Sequence, residues 1–309
     1  MKKGNYHPFY ILFIFFSFFH TTHMLAQQDS AEVKDQKFVF PHTLNRIFSV
    51  PSSKIMNSLD LSFFLGGSFG FADNTGVLGN IGLGLGGYGD VEISSESLLG
   101  SMIDSKESFT NIGMKVKILS EGEKFPALAI GIKTNNEWNS SRNDSELIRT
   151  HQGGLYASGL RTANYDSRMT SVYAAIGKTF ISGLTLNAGI NLSDLRYKNV
   201  YVVFNEGNSS FVQEDQERET VINFFGGFEY PLNERTILMF ELQSYPYLKV
   251  NTLDGTLSSS RRIVSVAGLR FFISNWLLVD SGIRYQDNYS GLAEAEIRLG
   301  LNGMWNLGF

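Results

Sequence analysis

Along most of this 309-residue chain, apolar and polar positions alternate with a period of two. The alternation is cleanest near the end. From Ala293 the odd positions are Ala293, Ala295, Ile297, Leu299, Leu301, Gly303, Trp305, Leu307 and Phe309, and the even positions are Glu294, Glu296, Arg298, Gly300, Asn302, Met304, Asn306 and Gly308. Successive side chains of a strand point to opposite faces, so this stretch predicts a strand with one greasy and one wet face. A helix would scatter the same residues around its circumference. Asn302-Gly303 is a competing hairpin signal, but too little chain follows it to make a useful partner strand.

The same pattern recurs in segments separated by turn residues. It predicts strands over 57–71 and 75–86, from Val91 onward, and over 112–118, 128–133, 172–177, 184–192, 222–230, 238–242, 263–271 and 277–285. With the C-terminal stretch these make twelve. Links at Gly87, 120–124, 181–183, 231–234 and 273–275 are short, whereas 136–167, 198–217 and 249–259 are long and polar. Short connections on one side and long ones on the other are expected of an antiparallel up-and-down barrel crossing a membrane. A soluble sandwich has no reason to sort its loops this way. The fold class predicted is therefore all-β, a transmembrane antiparallel barrel.

Composition narrows the chemistry. Glycine, at 31, far outnumbers proline, at 6, and cysteine is absent. Disulfides, thiolate metal sites and a cysteine nucleophile are thereby excluded. A net charge of -4 gives no footprint for nucleic acid. Lys2 and Lys3 precede an apolar run from Phe9 to Phe19, and Met24-Leu25-Ala26 then leads to Gln27. A basic start followed by a greasy segment too short to span a membrane reads as a secretory signal peptide cut after Ala26. Residues 27–56, interrupted by Pro41 and Pro51, form an N-terminal periplasmic segment that either leads into the barrel or folds into its mouth. The barrel itself spans 57–309.

The alternation sets Glu229, Glu241, Arg262, Arg270, Asp280, Arg284, Glu294, Glu296 and Arg298 on the lumen side. Glu294 and Glu296, two apart on one face, could share a proton or a cation. A polar barrel wall balanced by the arginines explains them more simply. Gly82-Leu83-Gly84-Leu85-Gly86-Gly87 satisfies a G-x-G-x-x-G pattern, but Asp90-Val91-Glu92-Ile93-Ser94 continues as strand where a dinucleotide fold needs a helix. We read these glycines as a tight turn and small lumen positions. His42 and His151 lie outside the predicted strands and far apart in sequence. They suit neither a Ser-His-Asp site nor a metal site. No catalytic residue, metal or cofactor is predicted. Phe180, Tyr230, Trp276, Trp305 and Phe309 at one end, with Tyr197, Tyr247 and Tyr285 at the other, read as interfacial girdles rather than sugar platforms.

Two resemblances add to this reading. The last strand, with Leu301, Trp305, Leu307 and terminal Phe309, resembles the closing strand of bacterial outer-membrane barrels. It implies a Gram-negative outer membrane, outer-membrane lipid around the wall, and the barrel-assembly machinery as a partner. Met114-Lys115-Val116-Lys117-Ile118-Leu119-Ser120-Glu121-Gly122 and Phe125-Pro126-Ala127-Leu128-Ala129-Ile130-Gly131 look like a hairpin of YjbH-type outer-membrane proteins associated with exopolysaccharide production, and Val50 to Met56 is loosely similar. That resemblance implies a role in polysaccharide secretion. The function expected is a narrow pore for export or uptake of a polar solute such as polysaccharide. The alternative is a non-conducting structural or interaction barrel using its long loops.

Overall fold

The computed structural model describes residues 38–69, 76–96, 109–135, 138–143, 161–204, 210–213, 217–250, 257–287, 289 and 291–308. Residues 1–26, read above as a signal peptide, His151 and Phe309 lie outside these residues. Among the described residues fourteen strands form one sheet: β1 Asp60–Phe69, β2 Gly76–Leu85, β3 Gly89–Glu96, β4 Phe109–Leu119, β5 Ala127–Asn135, β6 Trp138–Asn143, β7 Arg161–Thr179, β8 Thr185–Phe204, β9 Ser210–Gln213, β10 Glu217–Asn233, β11 Thr236–Val250, β12 Leu257–Phe272, β13 Leu277–Gln286 and β14 Glu296–Asn306. Short β6 and β9 pair on the far ends of β7 and β8, where they continue the lines of β5 and β10. The wall is thus a closed, antiparallel cylinder of twelve staves, with β1 paired to β14 from Asp60↔Asn306 to Phe69↔Ile297.

β14 runs unbroken through Asn302-Gly303, paired on both sides. Two full ladders outweigh the local turn preference of that dipeptide. Its N-terminal boundary does need correction: Ala293 and Glu294 belong to a 3-10 turn, Leu292–Glu294, ahead of the strand. The long links are also shorter than expected, because 161–167, 198–204, 249–250 and 257–259 are strand. At the short-turn end, β10 continues through Pro231 to Asn233, where the ladder with β11 shifts register. One junction is partly open: β10 and β11 pair only from Phe225↔Gln243 down to Asn233↔Thr236, and above that each pairs only with its other neighbour. The Ser244 hydroxyl bridges the top of this junction, accepting from Phe224 N at 2.9 Å and donating to Phe224 O at 3.3 Å.

The two faces separate as the period dictates. Ile81, Ile93, Ile112, Ile130, Ile190, Ile222, Ile283 and Leu299 are all exposed, and they ring the outside of the cylinder. Their inward neighbours Asn80, Asn223, Asp280 and Glu296 are buried. A continuous apolar band on the outside of a closed wall is the lipid-facing surface of a membrane barrel. Leu299→Arg is accordingly expected to cost roughly 2–4 kcal/mol near the midplane. Urea unfolding in lipid vesicles would measure it, with Leu299→Ala as the size control.

Trp276 and Trp305 stack outside at the short-turn end with ring centroids 5.5 Å apart. The Trp305 ring folds over Gly303, where a Cβ would come within 2.5 Å of it. Phe180 and Tyr230 are exposed at the same end. Tyr197 departs from the girdle reading: it faces inward and is buried. Parity decides this, since Ser193, Leu195 and Tyr197 share the inward face of β8.

Candidate functional site

Residues 45–56 lie inside the cylinder. Their contacts with inward side chains of β1, β3, β4, β8, β10, β11 and β12 place them there, because only the lumen reaches staves on every side. The segment folds back on itself at a tight turn. Ile47 N donates to Val50 O at 3.0 Å, Ser52 N donates to Asn45 O at 3.0 Å, and Arg46 bridges Pro51.

Glu241 of β11, fully buried, fills the concave side of that turn. Its Oε2 accepts from Phe48 N at 3.0 Å, Ser49 N at 2.9 Å and Val50 N at 3.1 Å, and its Oε1 accepts from Ser49 Oγ at 2.6 Å. Consecutive backbone N–H groups converging on one carboxylate make an anion nest. A lone buried carboxylate would be costly, and these donors offset that cost.

Two buried cations grip the segment from other sides. Arg270 forks onto its cross-strand partner Asp280, with Nε to Oδ1 at 2.7 Å and Nη2 to Oδ2 at 2.9 Å; it also reaches Glu229 Oε1 at 3.3 Å and donates through Nη2 to Ile47 O at 2.5 Å. Lys115 of β4 pairs with Asp90 at 3.3 Å and donates to the carbonyls of Asn45, Ser52 and Lys54 at 3.0, 3.2 and 2.5 Å. Asp90 in turn accepts from Met56 N at 2.8 Å. Lys54 answers with an ion pair to Glu229 at 3.4 Å.

Apolar contact completes the seat. Ile47 and Phe48 pack with Met239, Val264 and Val266, and Val50 packs with Tyr173, Ala175 and Phe225. At the base of β2, the small residues of the glycine run let the segment pass: a Cβ on Gly84 would lie 2.0 Å from Asn57 O, and one on Gly82 would lie 3.0 Å from Met56 Cε. Gly86 and Gly87, with φ of 64° and 71°, make the turn into β3. Leu59 joins the segment to β1 in the left-handed region, at φ 59°, and its N–H is held by Gly84 O at 3.1 Å. A leucine there is strained, so the surrounding structure enforces this chain reversal. Between Arg46, Ser49, Asp90, Lys115 and Tyr173 remains a cavity of about 20 Å³, room for roughly one water.

Nearer the long-connection end the interior is polar. Arg284 Nη1 meets Glu296 Oε2 at 2.7 Å, and Tyr289 donates to Glu296 Oε1 at 2.5 Å. Burial, reinforced by that bond, raises the Tyr289 phenol above its ordinary range, keeping it a donor. Glu92 pairs with Lys133. Asn223 is buried with neither side-chain amide atom partnered among the described residues.

The nine charged positions named from the sequence thus divide. Glu229, Glu241, Arg270 and Asp280 converge on the inserted segment, and Arg284 with Glu296 forms a separate pair above it. Arg262 and Arg298 share the inward parity of β12 and β14. Glu294 is off the wall in the 3-10 turn, so it shares no face with Glu296. Asp90, Lys115 and the apolar Met239, Val264 and Val266 escaped sequence reasoning. The available signal was a cluster of greasy residues at inward positions, which no water-lined interior needs. Of the terminal signature, Leu301 and Trp305 are exposed outward on β14 and Leu307 follows it. His42 Nδ1 lies 3.1 Å from Asp60, and among the described residues no three acids or histidines gather as a metal site.

No protein-family model and no curated protein matches the chain, so the YjbH-type resemblance finds no counterpart there. Solved structures similar in fold include the translocator domain of autotransporter NalP from Neisseria meningitidis, at 13% identity and TM-score 0.47, covering 81% of this chain and 89% of that one. The outer membrane protein Omp33 of Acinetobacter baumannii follows at 7% identity and TM-score 0.35, covering 80% and 97%. The transport unit of autotransporter AIDA-I from Escherichia coli aligns at 13% identity and TM-score 0.32, covering 94% and 97%. These likenesses concern the fold alone.

Proposed function

We propose that this outer-membrane β-barrel is a narrow pore for a polar solute, closed at rest by its own residues 45–56. The wall belongs in the outer membrane of a Gram-negative bacterium, where a closed, lipid-belted cylinder leaves no sheet edge in hydrocarbon. Its short-turn end then faces the periplasm, and the plug sits in that half. One observation carries the reading: Glu241 is dedicated to holding the Phe48–Val50 turn across the bore. A barrel of twelve staves falls between those that side chains fill and those that leave a channel, so one inserted segment suffices to close it.

The mixed charges above the plug, Arg284 with Glu296 and Lys133 with Glu92, suit a hydroxyl-rich or zwitterionic solute better than a simple ion of one sign. Polysaccharide, through neutral oligosaccharides, is the class to try first. Export by residues 1–26 and assembly through Leu301, Trp305, Leu307 and Phe309 belong to the same proposal, which assigns no catalytic residue. The test is planar-bilayer conductance of the refolded mature protein beside a form beginning at Met56. Silence from the first and steady current from the second is the expected result. Silence from both, with folding verified by circular dichroism, would turn the reading to a non-conducting interaction barrel.

A further inference from the structure

The outward faces of β7, β8 and β10 change character abruptly at one level. Val172, Leu192 and Ile222 lie side by side in the apolar belt; one step up come Thr170, Asp194 and Thr220, and one further step brings Arg168, Arg196 and Arg218 into a single row. All three arginines are exposed. From Leu186 to Asp194 on β8, at ~3.4 Å per residue and a tilt of ~40°, the belt rises roughly 20 Å. The arginine row therefore stands at the height of the lipid headgroups on the long-connection side.

Like charges directly opposite one another on neighbouring strands repel. Here two of the three guanidinium groups share one carboxylate: Arg218 Nε reaches Asp194 at 2.6 Å and Arg196 Nε reaches it at 3.1 Å, while among the described residues Arg168 pairs with no acid. Asp194 orients two of the forks without neutralising the row, which sets three positive charges against its one negative charge. We propose that Arg168, Arg196 and Arg218 form a clamp for the phosphate of a lipid in the outer leaflet. Planar guanidinium forks match phosphate oxygens two by two, and the belt directly beneath offers the acyl chains their apolar surface. A soluble anion would meet only the first of these features. The clamp is independent of whether the bore conducts.

The experiment is native mass spectrometry of the full mature protein, refolded in a phosphate-free maltoside detergent and exposed to bis-phosphorylated or dephosphorylated lipid A. We expect the unaltered protein to retain the phosphorylated lipid, and an Arg168→Gln/Arg196→Gln/Arg218→Gln variant to retain at least tenfold less. Arg261→Gln, an exposed arginine on β12, should behave as unaltered protein. The heat-modifiable gel shift reports folding, and Arg168→Gln alone serves should the triple variant misfold, with a severalfold loss expected. Equal retention by the variant, or equal retention of the dephosphorylated lipid, would overturn the proposal. So would complete displacement by millimolar inorganic phosphate, which would assign the row to a soluble anion.

Discussion

Replacing Glu241 with alanine is expected to unseat the plug while leaving the barrel standing. The carboxylate accepts three backbone N–H groups and one hydroxyl from Phe48, Ser49 and Val50, and among the described residues no other acceptor is bonded to those amides. Each buried donor left unpaired costs ~1–3 kcal/mol, so the seated form should lose about 4 kcal/mol relative to the released one. At 1.4 kcal/mol per decade this shifts the equilibrium roughly a thousandfold. Hydrogen exchange of the Phe48–Val50 amides should accelerate accordingly, and the bilayer current of the variant should approach that of the form beginning at Met56. Glu241→Gln, which keeps an acceptor oxygen but loses the charge, should fall between. Exchange unchanged in the alanine variant would mean the apolar seat of Ile47 and Val50 holds the plug unaided.

Arg270→Ala should damage plug and wall together. The guanidinium is fully buried, forked onto Asp280 and touching Glu229, so its loss strands Asp280 and the Ile47 carbonyl in the interior and leaves Glu229 with Lys54 as its remaining cation. Breaking a buried pair from one side costs ~3–5 kcal/mol. The urea midpoint of the whole barrel should fall, since Arg270 and Asp280 are register partners on β12 and β13. Arg270→Met combined with Asp280→Leu should recover part of that loss, because the uncompensated charge at Asp280 disappears with the partner. A double variant as unstable as Arg270→Ala would locate the effect in the plug contact instead.

What the chain reveals in advance follows from where lipid touches it. Within the belt, one face must be greasy and the other need not be, so the period of two is sharp and β13 is found almost to the residue. Above the belt both faces meet water, and the alternation dissolves. Ser258 and Ser259 therefore read as loop although they pair with Lys249 and Leu248 on β11. The charged interior is visible for the same reason as the belt, by parity. Its organisation is not, because Glu241 and Arg270 owe their roles to a segment nearly two hundred residues away, separations of 193 and 223 for their bonds to Phe48 and Ile47. Ile47, Phe48 and Val50 have no period of their own to announce a destination.

The strained link at Leu59 has a consequence for how such a pore could be held open. With the plug tied by only Asn57, Ser58 and Leu59 to the first residue of β1, Asp60, its return is an intramolecular event. Tethers this short give effective concentrations in the millimolar range or above. A free peptide copying residues 39–56 would compete poorly with the attached original, and dilution would not loosen it. Sustained opening instead requires a periplasmic hand on the segment itself, whose grip is measured against that local concentration rather than against the cell's.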